Sequence, residues 1–236
     1  MVLLSISLLS LPAFAQDCNS VSCTRDLTAV LSVSPTVQDD TVPGMNLADD
    51  RYESIGLREE VFQKAKKAFQ TAWEREDTRK TTYTIIDYSL DSDEKRLWVI
   101  DMDTGEVLFQ EYVAHGRNSG LTRVTRLSNV PDSKTSNIGL LRTAETYYGK
   151  HGYSLKLDGL ESGFNDKARA RYIVMHASNY VTDAYIEQHG RAGRSWGCPA
   201  IDPAISKELI DRIKGGSLIF GHYPDPDWLG DSRYLN

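Results

Sequence analysis

Apolar side chains recur at spacings of three and four over residues 57–76: Leu57, Val61, Phe62, Ala65, Ala68, Phe69, Ala72 and Trp73, with charges on the opposite face. That period predicts an amphipathic helix whose aromatic stripe packs into a core. The period then shortens to two. Residues 82–88 and 96–101 read as strands, Asp103-Thr104-Gly105 as a hairpin turn, and 106–114 as the returning strand. The polar loop His115-Gly116-Arg117-Asn118-Ser119-Gly120 follows and is expected to line a cleft. Strands are predicted again at 137–146 and 153–157, with Tyr147-Tyr148-Gly149-Lys150-His151-Gly152 as an aromatic loop between them. Another is predicted at 171–176, where an apolar run ends on His176. Residues 180–189 read as a short helix or an irregular flap. Asp202 caps a helix opened by Pro203 and stopped by Gly215-Gly216. Residues 217–223 form a last strand, and the acidic, proline-containing stretch 224–236 reads as a tail. The sum is a β-rich α+β domain with one long N-terminal helix and short flanking helices, not an alternating βαβ fold.

Ahead of that domain stand two segments of different character. Residues 1–15 are an apolar run closed by Ala13-Phe14-Ala15, an A-x-A cleavage site, and read as a secretory signal too short to stay in a bilayer. A buried N-terminal helix or strand is the competing reading, and Pro12 with the A-x-A end favours cleavage. No Lys or Arg precedes the apolar run, which leaves open a start further upstream. Residues 16–54 are rich in Ser, Thr, Asp, Val and Pro without a period, as in a tail or tether. The expected organisation is therefore a signal at 1–15, a tether at 16–54, a catalytic domain at 55–223 and a tail at 224–236. The expected location is outside the cytoplasm, in a periplasm or cell envelope.

Composition narrows the chemistry. The chain has 236 residues, enough for one full domain, and its net charge of −6 argues against a nucleic-acid partner. Cys18 and Cys23 lie close together in a polar segment, which in an oxidising compartment suits a local disulfide or leaves two free thiols. Cys198 is the odd cysteine. It sits in Gly193-Arg194-Ser195-Trp196-Gly197-Cys198-Pro199-Ala200, a turn-forming stretch downstream of His176. A cysteine nucleophile needs a base and oxyanion donors. His176 is the candidate base, with His115 and His151 as further ones. The Gly197 and Cys198 amides can face an oxyanion, Ser195 can bond across the turn, and Trp196 can shield it. The bland alternative for Cys198 is a buried structural thiol. The same stretch also matches G-x-S-x-G, but no strand precedes it, and only Asp202, Asp211 and His222 remain downstream to complete a serine triad. Metal-binding spacings are absent, and no cofactor is implied.

Ser195-x-Gly197-Cys198 downstream of a strand-terminal histidine resembles the L,D-transpeptidase (YkuD-like) catalytic domain of bacterial cell-wall enzymes. Arg96-Leu97-Trp98-Val99-Ile100-Asp101, Val113-Ala114-His115-Gly116, the block 147–155, Leu157-Asp158-Gly159-Leu160, Gly163-Phe164-Asn165 and the Cys198 block are similar to its murein branch over residues 57–223. The resemblance implies a mixed β-sandwich acting on peptidoglycan stem peptides, with a tetrapeptide donor and an amine acceptor. Cys198 would attack the L-centre carbonyl of meso-diaminopimelate, expel D-alanine and form a thioester, and an amine of another stem would complete a 3–3 cross-link. His176 corresponds to the base, and Ser195 and Gly197 to the turn-shaping positions. Three positions depart from the wider family. Trp196 stands for a histidine, Ala177 for Gly or Ser, and Pro199-Ala200 for a hydrophobic residue followed by Asn or Arg. The last change removes a contact to a substrate carboxylate, which Arg194 or Arg191 is expected to replace. The Ala177 carbonyl can still orient the imidazole. Tyr147, Tyr148, His151 and the loop carrying His115 are expected to wall the cleft. Rival readings are a hydrolase of the same fold (L,D-carboxypeptidase, amidase or endopeptidase) and a non-catalytic wall-binding domain.

Overall fold

The computed structural model describes residues 42–44, 47 and 49–236. The expected signal at 1–15, Cys18 and Cys23 lie outside the described residues, as does most of the expected tether at 16–54. The elements are α1 (Glu59–Glu74), β1 (Thr82–Asp87), β2 (Leu97–Asp101), β3 (Val107–Glu111), β4 (His115–Gly116), β5 (Gly139–Gly149), β6 (Gly152–Gly159), β7 (Val174–Ala177), α2 (Asp183–His189), β8 (Arg194–Ser195), β9 (Ala200–Ile201), α3 (Pro203–Ile213), β10 (Leu218–His222) and α4 (Pro226–Asp231). Glu59 and Glu60 occupy the first turn of α1, where carboxylates suit the helix dipole. The Asp202 side chain accepts from the Ala204 amide to cap α3.

Eight strands form one mixed, nearly closed sheet in the order β3-β2-β1-β10-β5-β6-β7-β9. The β1·β10 and β7·β9 pairs are parallel and the other pairs antiparallel. Side chains alternate between the two faces of each strand. Tyr83, Ile85, Trp98, Ile100, Leu140, Leu218 and Phe220 meet Val61, Phe62, Ala65 and Phe69 of α1 on one side. Ile86, Leu97, Val99, Leu155, Leu157, Met175 and Ile219 meet Leu209, Ile210 and Ile213 of α3 on the other. The Tyr83 hydroxyl donates to the Ala65 carbonyl at 2.9 Å and pins α1 to its face. The sheet curls until Ala114, just past β3, bridges Ala200 of β9, its amide 2.9 Å from the Ala200 oxygen.

Four local expectations change. Residues 147–149 are not loop but the end of β5, paired as Tyr147↔Ser154 and Tyr148↔Tyr153, because a tight turn at Lys150 and His151 suffices and Gly152 takes φ 74°. The strand expected at 171–176 starts only at Val174. Arg171 is drawn into the 128–137 loop, where its guanidinium donates to Ser128 O, Thr135 O, Asn137 Oδ1 and Ser133 Oγ. His115 and Gly116, expected in a loop, form β4, parallel to β8 with His115↔Arg194 and Gly116↔Ser195. The expected tail holds α4: Trp228 and Tyr234 are wholly buried, and Trp228 Nε1 donates to Glu161 Oε2 at 3.0 Å. Its apolar residues are too few to show a period. Among the described residues no helix is long and apolar enough to cross a membrane.

Candidate active site

The turn carrying Cys198 joins β8 to β9, and Ser195 ties it. Ser195 Oγ accepts from the Gly197 amide at 3.0 Å and donates to the Cys198 carbonyl at 2.7 Å. Gly197 has φ 124°, and a Cβ there would fall 2.5 Å from the Thr135 oxygen. Only glycine fits both the conformation and the space. From below, Ser136 Oγ donates to the Gly197 carbonyl at 3.2 Å and accepts from the Gly116 amide, while the Ser136 amide donates to Ser119 Oγ. Part of the loop expected to wall a cleft is therefore a buried shelf beneath the turn. Because the Gly197 amide donates to Ser195, the Cys198 amide is the candidate oxyanion donor that remains of the two.

His176 lies on β7, paired with Ala200 of β9, so the strand of the candidate base adjoins the turn of the candidate nucleophile. Its Nδ1 is 2.9 Å from the Ala177 carbonyl. A carbonyl only accepts, so Nδ1 carries the proton and Nε2 presents a lone pair. His151, from the β5–β6 turn, stacks on this imidazole with centroids 4.3 Å apart and planes 20° apart. Burial first, then the neighbouring His151 and Lys150, push His176 below its ordinary pKa against the Ala177 hydrogen bond. Cys198 is half-buried, and its Sγ donates to the Tyr172 carbonyl at 3.6 Å. Burial raises the thiol pKa, while the Val174 backbone and the charges of Arg171 and Lys150 lower it. At neutral pH the two groups thus rest as thiol and imidazole.

The strand register puts Tyr147, Ser154 and His176 in one row on one face. On that side a cavity of about 300 Å³ is lined by Tyr147, Lys156, Leu157, Arg169, Tyr172 and Val174 among others. Trp196 is exposed, with Lys134 Nζ 4.6 Å and Lys150 Nζ 5.9 Å from its ring centre. The other sequence candidates sit elsewhere. Tyr148 points to the opposite face, against Tyr153, whose hydroxyl donates to Asp211 of α3. His115 is wholly buried, its Nδ1 accepting from Arg96 Nη2 at 2.8 Å. Burial and then the Arg96 charge push it down to about 3. Arg194 Nη1 donates to the Arg117 and Gly120 carbonyls, and Arg191 Nη1 to that of Ala192. Neighbours that sequence reading missed are Arg171, Lys150 and Ser136. Nothing in their spacing marks them, since each comes to the site from a distant loop or turn. Among the described residues no group of three or more His, Cys, Asp or Glu could hold a metal ion.

The family model of the L,D-transpeptidase catalytic domain matches residues 53–222. No curated protein matches the chain. Similar solved structures include an L,D-transpeptidase from Mycobacterium smegmatis, at 13% identity and a TM-score of 0.38, covering 61% of this chain and 59% of that one. Another is an L,D-transpeptidase from Stackebrandtia nassauensis, at 15% identity and 0.37, covering 75% and 77%. A third is the helical cell shape determining protein Pgp2 from Campylobacter jejuni, at 10% identity and 0.41, covering 69% and 56%. The chain thus spans less than two thirds of the first and third of these.

Proposed function

The chain belongs to the L,D-transpeptidase catalytic domain family, and from that premise we propose that it is an exported cysteine acyltransferase that joins peptidoglycan stem peptides through 3–3 cross-links. The observation that carries this reading is the pairing of a locked base with a locked turn. His176 has its Nδ1 fixed by the Ala177 carbonyl, and Ser195 holds Cys198 on the neighbouring connection.

In this mechanism His176 Nε2 takes the thiol proton as Sγ attacks the donor carbonyl. The Cys198 amide faces the developing oxyanion. Collapse expels the terminal D-alanine, whose amine receives the proton from His176, and leaves a thioester. The incoming amine then loses its proton to His176, attacks the thioester and releases the thiolate, which recovers that proton. Arg171 and Lys150 favour the thiolate in both half-reactions. Water in place of the amine would make the same site a carboxypeptidase.

The test uses mature wild-type protein and Cys198→Ala with a disaccharide-tetrapeptide carrying meso-diaminopimelate, read by mass spectrometry. Dimers formed with loss of one D-alanine, absent in the variant, are expected. D-Alanine release without dimers would replace the transferase by a hydrolase, and no product would overturn the catalytic reading. The Ala13-Phe14-Ala15 end supports export, and amino-terminal sequencing of the secreted protein should begin at residue 16.

A further inference from the structure

Among the described residues, two lysines beside the nucleophile form no ion pair. Lys134 approaches the Trp196 ring from the loop before β5, and Lys150 from the β5–β6 turn. Neither forms an ion pair among the described residues, which is also true of Lys64, Lys67, Lys80 and Lys167, but these two converge on a single indole. In a chain of net charge −6, a cationic pair left unneutralised at one spot marks a place where an anion would be welcome.

The pair is also positioned. A cation over an indole face is held at the ring by its quadrupole. Lys134 has φ 57°, a left-handed backbone uncommon for a side-chain-bearing residue. Its carbonyl accepts the Asn118 amide at 3.1 Å, which ties it to the shelf under the catalytic turn. Lys150 adjoins His151, which stacks on His176, and its charge is felt at Cys198. Trp196 stands two positions before Cys198, so the ring that seats both ammonium groups is part of the nucleophile's own turn. The arginines beside it are partly engaged, since Arg194 and Arg191 each give an N–H to backbone carbonyls.

We propose that Lys134 and Lys150, seated on Trp196, form an anion subsite for the terminal carboxylate of the peptide whose carbonyl Cys198 attacks. That carboxylate lies one residue beyond the scissile amide, close to the reacting carbonyl. The subsite selects donors with a free acid end over blocked ones. This rests on the acyl-transfer reading for the identity of the peptide, and not for the existence of the cation pair.

The experiment measures binding apart from turnover. The full chain with Cys198→Ala is titrated calorimetrically with L-Ala-γ-D-Glu-meso-diaminopimelyl-D-Ala and with the same peptide ending in a carboxamide. The acid should bind about tenfold tighter, the scale of one or two partly exposed ion pairs, and lose that advantage as salt rises. Adding Lys134→Ala and Lys150→Ala should erase the preference without weakening carboxamide binding, and restoring the charge with Lys150→Arg should recover part of it. Thermal melts confirm that each surface variant is folded. Equal affinity for the two peptides, a preference that survives the double substitution, or no binding of either peptide would overturn the proposal. If the acid preference and its lysine dependence hold while the wild-type protein leaves the peptide unconverted, the subsite stands and the transferase reading falls. If the wild-type protein converts the peptide and no acid preference exists, the transferase reading stands and the subsite falls.

Discussion

Acidification should weaken the fold through His115, and by an amount the structure sets. Its imidazole is wholly buried, accepts from the buried Arg96 guanidinium, and is held down to about 3. In the unfolded chain the same group titrates near 6.5. A depressed histidine contributes its stability above the unfolded pKa and loses it as pH falls toward the folded one, because only the unfolded state takes up the proton. Each pH unit below 6.5 therefore costs about 1.4 kcal/mol, or about 2 kcal/mol at pH 5. His115→Asn isolates this share: the amide oxygen can still accept from Arg96 and does not titrate. His222, also held low at about 4 by burial, is present in both proteins and cancels in the comparison. Urea unfolding followed by tryptophan fluorescence at pH 7.5, 6.5, 5.5 and 5.0 gives the two stability curves. Wild type should lose about 2 kcal/mol more than the variant between pH 7.5 and 5. Parallel curves would refute the reasoning, whatever the absolute stability of His115→Asn.

Cys198 should react with iodoacetamide more slowly at pH 7.5 than an unhindered peptide thiol, with a rate still climbing above pH 9, because burial raises its pKa; a plateau below pH 8 would contradict this. Gly197→Ala should cost about 3 kcal/mol in urea unfolding, from its φ of 124° and the 2.5 Å approach to the Thr135 oxygen, and should lower turnover with it. A fully active, equally stable variant would show that the turn relaxes freely. Trp228→Ala should cost about 3–5 kcal/mol and lower the melting temperature, since the indole is wholly buried and its Nε1 donates to Glu161; an unchanged melt would return 224–236 to the status of a tail.

The two longest helices were the most legible part of this chain, because their signals are local. α1 declares itself by period, and α3 by Asp202-Pro203 at one end and Gly215-Gly216 at the other. The tie from Ser195 across the turn was readable for the same reason, since every atom in it comes from four consecutive residues. What escaped depends on distant partners. A two-residue strand such as β4 has no period, and exists because Arg194 and Ser195 lie alongside it. Arg194 beside a cysteine suggests a substrate contact until its Nη1 is found on carbonyls at 117 and 120. His115 and Tyr148 carry the chemistry of a cleft wall, yet one is buried behind Arg96 and the other faces α3. Residue type suggests chemistry, but only the sheet register decides which side of the molecule receives it.

The place of β10 bears on when this site can exist. The last strand in sequence lies in the middle of the sheet, paired to β1 on one side and β5 on the other. Without it, the ribbon β3-β2-β1 and the ribbon β5-β6-β7-β9 have no strand-to-strand ladder between them and meet at the Ala114–Ala200 bridge on the other side. Tyr83 must find Leu218 across most of the domain, a non-local contact of the kind that slows folding. Cys198 and His176 belong to the second ribbon, whereas the Gly116 amide that anchors Ser136 comes from the chain leaving the first. The sheet that carries Cys198 and His176 is therefore complete only once its last strand in sequence is in place.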